Sequence, residues 1–62
     1  MASTVKALRA RLAANVEAFY ARAMSYERFS AAQEATWREI HRNKRVEAAV
    51  LALLRRDAYG RA

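Results

Sequence analysis

The sequence predicts an all-α protein, and three observations carry that reading. Alanine, arginine, leucine and glutamate, all strong helix formers, dominate a chain with no proline and a single glycine, Gly60. Val5, Leu8, Leu12, Val16, Phe19 and Ala23 step by three or four positions and so line one side of a helix. Tyr26, Phe29, Gln33, Thr36 with Trp37, and Ile40 repeat that period further on. The predicted architecture is an antiparallel helical hairpin of 4–23 and 26–42, followed by a third short helix over 45–58, assembling into a dimeric helical bundle. The 62 residues, 1–62, are read as one small helical domain.

In the first helix either Ser3 or Thr4 supplies the cap, and the stripe from Val5 to Ala23 makes about five turns before returning to one line. Lys6, Arg11, Asn15, Glu17 and Arg22 fall off that line, and Arg9 lies at its edge, where a long side chain can snorkel. The second helix is the stretch around which the chain is organised. Ser25 as N-cap puts Met24 and Phe29 at the two staple positions and Glu27 in the first turn, where the helix dipole favours an acid. Ser30 with Gln33 is the rival start. A link this short makes the first two helices neighbours, with Phe19 and Tyr20 meeting Tyr26 and Phe29 at the turn and Trp37 and Ile40 meeting Leu8 and Leu12 at the open end.

After Ile40 the apolar phase breaks. Asn43, Lys44 and Glu47 occupy the positions that would continue the stripe, and apolar residues resume at Val46, Val50, Leu53 and Leu54, rotated by roughly 80°. Asn43 tolerates the left-handed conformation that ends a helix, so a break is placed within 41–45. An unbroken helix over 25–58, about 50 Å long, is the alternative, and both end near Tyr59 with Gly60 as the stop. Val46, Val50, Leu51, Leu53 and Leu54 cover a broad arc, which fits either a dimer face or a helix sunk in the hairpin groove.

The core formers are few for a domain of this size, and Phe29 and Trp37 are expected among them. With no cysteine there are no disulfides or thiolate metal sites, and the lone His41 is a poor basis for a metal site. Oligomerisation, or docking on something larger, is the remaining source of stability. No apolar run of membrane-spanning length occurs, and no apolar signal segment follows Met1, so the chain is expected in the cytoplasm. An organellar transit peptide is disfavoured by Glu17 within the Ala/Arg-rich start.

Catalysis finds no support. There is no histidine pair, no glycine-rich phosphate loop and no carboxylate pair on a buried face; Glu34 reads as the i,i+4 partner of Arg38. No cofactor is implied. Twelve Lys/Arg against six Asp/Glu give a net charge of +6 and a pI near 10.8, which favours polyanionic partners. The densest basic run is His41 to Arg45. With Arg38 on the preceding turn, it nominates Arg38, His41, Arg42, Lys44 and Arg45 as phosphate-contacting residues for RNA or DNA. The structural account of the same run is a solvated turn with cations at a helix C-terminus. Further arginine ladders run along Arg11, Asn15 and Arg22 and along Arg28 and Arg42. A DNA-reading helix-turn-helix is disfavoured, because the segment after Asn43 has too little polar surface to read base edges. The expected function is that of a small basic helical binding protein, a nucleic-acid-associated regulatory or accessory factor that is not an enzyme. The alternative is an adaptor or inhibitor docking an apolar helical face on a larger protein; a peripheral membrane peptide ranks third.

Overall fold

The computed structural model describes residues 4–60. Three helices of 16 residues each follow one another: α1 (Val5–Tyr20), α2 (Tyr26–His41) and α3 (Lys44–Tyr59), with no strand among the described residues. Each is about 24 Å long.

Thr4 caps α1, its hydroxyl accepting from the Ala7 N–H at 3.0 Å, while Ser3 lies outside the described residues. The stripe then places Leu8 and Leu12 in the core and leaves Val5, Val16 and Phe19 half-buried. The helix stops three residues short of the expected 23. Arg22 takes φ 60°, its N–H donating to the Phe19 carbonyl and that of Ala23 to the Ala18 carbonyl. Those two bonds and the left-handed residue between them form a Schellman close. That position usually holds glycine, so an arginine there left no signal in the sequence.

Ser25 caps α2, accepting from the Arg28 N–H at 3.2 Å with Glu27 in the first turn, and the start at Ser30 is ruled out. Asn43 does break the chain between α2 and α3, but by a different mechanism from the one expected. Its φ of −133° and ψ of 115° are extended, and its side-chain oxygen accepts from the N–H groups of Arg45 and Val46. Asn43 therefore starts α3 as an N-cap; no left-handed residue ends α2. At the far end a Cβ on Gly60 would lie 2.7 Å from the Arg56 carbonyl oxygen, so the stop there has room only for glycine.

All three helices pack on one another around a small knot. Leu8, Leu12, Ile40 and Val50 are the buried apolar residues, with Val5, Trp37, Val46 and Leu54 packed against them. Thr36 is the buried polar residue, and its hydroxyl donates to the Ala32 carbonyl one turn back. Along α1 and α2 the contacts run in opposite order. Phe19 stacks on Phe29 at 4.7 Å, Asn15 donates to Gln33 at 2.8 Å, and Arg11 pairs with Glu39 at 3.0 Å.

Two expected core residues, Phe29 and Trp37, are only half-buried, and Leu51 is 45 % exposed. The aromatic cluster does gather at the α1–α2 turn, with Tyr20 and Tyr26 also against Phe19, yet both tyrosines stand largely in solvent. For the aromatic cluster the reason is coverage: Val46, Val50 and Leu54 of α3 lie against Leu8, Leu12 and Ile40, and no α3 residue joins that cluster at Phe19 or Phe29. Trp37 does pack on the core, with part of its ring open to the groove beside Leu54. The molecule is consequently flat, 33 × 32 × 16 Å.

Replacing the knot should hurt more than replacing the rings. Ile40→Ala is expected to cost about 2–5 kcal/mol, enough to unfold a domain this small, with Phe29→Ala clearly milder. Arg22→Gly should stabilise by about 1 kcal/mol through relief of the left-handed backbone. Chemical denaturation followed by circular dichroism measures all three; a Phe29→Ala variant as damaging as Ile40→Ala would place the core at the wrong end.

Candidate nucleic-acid interface

The α2–α3 junction is a tight corner, and the five nominated residues stand around it. Arg38 and His41 lie in the last turn of α2, Arg42 is its C-cap, and Lys44 and Arg45 open α3. All five are exposed. Arg38 and Arg42 are four residues apart on the α2 spiral and project from one side; Arg42 keeps helical angles, φ −63° and ψ −25°, so the spiral carries through it.

His41 is set apart from the other four. Its ring stacks on Trp37 at 5.7 Å, and its Nδ1 pairs with the Glu47 carboxylate across the corner. That places it as a clasp between α2 and α3. Among the described residues, Arg38, Arg42, Lys44 and Arg45 have no ion pair, and Glu34, the expected partner of Arg38, does not reach it. The acids that form pairs do so elsewhere. Arg9 pairs with Asp57 (α1 with α3), Arg11 with Glu39 (α1 with α2), and His41 with Glu47 (α2 with α3), so each helix seam has one pair. Such partly exposed pairs contribute roughly 0–1 kcal/mol each, and they serve to fix register.

The helix dipole divides the corner cations into two groups. At the C-terminus of α2, Arg38 and Arg42 are where the dipole favours positive charge. Lys44 and Arg45 are at the N-terminus of α3, where it opposes them by about 0.3–1 kcal/mol each. All of the basic run is solvated, but the favourable placement at a helix C-terminus applies to its α2 half and not to its α3 half. Nor does the end of α3 offer free backbone donors to an anion at Arg45 and Val46, because Asn43 already occupies both. Recognition at this corner rests on side chains.

The α1 arginine ladder is dismantled by the fold. Arg11 and Asn15 turn to Glu39 and Gln33 of α2, and Arg22 sits in the turn beyond the helix. Arg28 and Arg42 remain exposed on α2. Among the described residues no helix is long and apolar enough to cross a membrane, and no three His, Asp or Glu side chains converge as a metal site. No family model, characterised protein or solved structure matches the chain.

Sequence reasoning missed the clasp, the seam pairs and the capping role of Asn43. For Asn43 a signal existed, since asparagine is among the best N-cap residues. For Arg9 and Asp57, 48 positions apart, none did. The corner depends on the cap: Asn43→Ala should cost about 1 kcal/mol. The midpoint of urea unfolding would show it, and an unchanged midpoint would mean that the two side-chain bonds contribute nothing.

Proposed function

We propose that the protein is a small basic binding factor that contacts the phosphates of RNA or DNA through the α2–α3 corner, without reading sequence, in a regulatory or accessory role. In this reading α1 and α2 act as an antiparallel hairpin that holds the corner rigid, two copies associate so that each contributes a corner, and the setting is cytoplasmic. Arg38, Arg42, Lys44 and Arg45 make the contacts; His41 holds the corner closed. The observation that carries the reading is the placement of Lys44 and Arg45. They are exposed, without an ion pair among the described residues, and set against the α3 dipole, so their charge costs the fold stability. A polyanion bound at the corner would turn that cost into attraction.

The adaptor reading has one observation in its favour. A groove with an apolar floor, suited to protein side chains and not to phosphates, lies open between the helices.

Titration with short duplex and hairpin RNA and DNA over a range of salt concentrations separates the two. If each of the four cations neutralises one phosphate, the log–log slope on duplex DNA should be about −3.6 per engaged corner, about −7.2 for a dimer using both, and Arg42→Ala or Arg45→Ala should each reduce it by about one unit per corner. Sequence preference should not change. Lys44→Ala and Arg45→Ala should also raise stability by about 0.3–1 kcal/mol while weakening binding, as expected of residues that oppose the dipole. Absence of binding at low salt would overturn the reading and put the adaptor first.

A further inference from the structure

The accessible surface is large for the mass. A folded monomer of 7.1 kDa exposes about 4,100 Å², whereas this chain exposes 5173 Å², about a quarter more. A standard protein interface covers about 800 Å² on each partner, so a surface of this size has room for one. One open apolar surface is visible in the fold. Because α3 covers α1 and α2 only around Leu8, Leu12 and Ile40, a groove of about 270 Å³ stays open beside it. Its floor is apolar: Leu12, Ala13 and Val16 of α1, Trp37 of α2 and Leu54 of α3. Leu51, one turn before Leu54, is the exposed large aliphatic residue of α3.

We propose that this groove is the seat of a second copy of the chain, the α3 edge of each copy, Leu51 with Leu54, lying in the groove of the other. The inference rests on the dimeric part of the function proposed above and supplies its interface. Two features select a second copy over an acidic partner. Groove and filling edge adjoin at Leu54, so one patch presents both the edge and its seat, as a two-fold interface requires. The groove is also electrically neutral: its charged residues, Arg9 and Asp57, satisfy each other at 3.3 Å, and Gln33 is held by Asn15. An acidic ligand would gain nothing there and would go to the corner. Arg38, Arg42, Lys44 and Arg45 all lie outside the groove, which keeps these cations of two +6 chains off its floor; the filling edge itself carries one exposed cation, Arg55, four residues after Leu51.

The test is the mass in solution from roughly 1 μM to 1 mM, the span over which a weak to moderate homodimer populates both states. The parent should pass from one copy to two, and Trp37, the single tryptophan, should shift its emission to the blue over the same range as the groove fills. Ala13→Glu and Leu51→Glu should each weaken association by at least about 100-fold. Both sites are exposed and glutamate suits a helix, so each variant should keep its helical circular dichroism. Each also lowers the net positive charge, which eases the approach of two like-charged chains, so lost association would not reflect general repulsion. A parent monomeric throughout would overturn the dimer itself. A dimer unaffected by both variants, or one that forms with Trp37 emission unchanged, would overturn the interface and leave the dimer standing. The Trp37 readout needs no variant, so the test survives if either substitution unfolds the chain, and none of it involves the phosphate titration.

Discussion

Everything in this structure depends on the contact among Leu8, Leu12, Ile40 and Val50, where the three helices meet. Isolated helices of about 16 residues are marginal in water, so α1, α2 and α3 exist as ordered elements because each buries apolar surface on the other two. Ile40 and Val50 are fully shielded and belong to helices joined by a two-residue corner. Bringing them together requires α3 to turn back at Asn43. The cap there is thus the local feature that makes the tertiary knot possible, and the knot in turn decides which faces remain uncovered.

The fold also decides which charges are free. A chain with twice as many cations as acids has to leave some cations unpaired. Here the acids of α2 and α3 that form pairs reach across seams, to Arg9, Arg11 and His41. Among the described residues the corner's four cations have no ion pair, and its local charge follows from this allocation as much as from the basic run itself. Glu47 illustrates the point. It lies one turn into α3, close in sequence to Lys44 and Arg45, but is turned toward His41. Phosphate recognition, as proposed, would draw on a field that the seams have already arranged.

A small knot and a large surface are two aspects of one constraint. With few long apolar side chains, the chain cannot cover both ends of α1 and α2 with one 16-residue helix. It covers the end at Leu8 and Ile40; the aromatic end, with Phe19 stacked on Phe29, remains half-open, and a groove persists between. Burial left undone within a monomer is available between monomers, which is why short chains without disulfides so often rely on assembly.

The sequence by itself determined the helical class and the meeting of Ile40 with Leu8 and Leu12; it favoured three helices over two through the phase break after Ile40, narrowed the first cap to Ser3 or Thr4, and favoured Ser25 over Ser30 for the second. These are properties of spacing and of local hydrogen-bonding capacity, which the chain carries wherever it folds. It also marked the basic residues 41–45 with Arg38. Only the tertiary structure separated His41 from the other four, because a clasp to Glu47 exists only after α3 has turned back. Only the tertiary structure removed Arg11 and Asn15 from the surface ladder, by facing them with Glu39 and Gln33. It also left Phe29 outside the core cluster and Trp37 half-buried against it, since burial depends on what a third helix covers and not on a stripe's own period. The left-handed Arg22 was invisible for a related reason. A residue is driven into that conformation by the geometry of the chain on either side, and arginine carries no local preference that announces it.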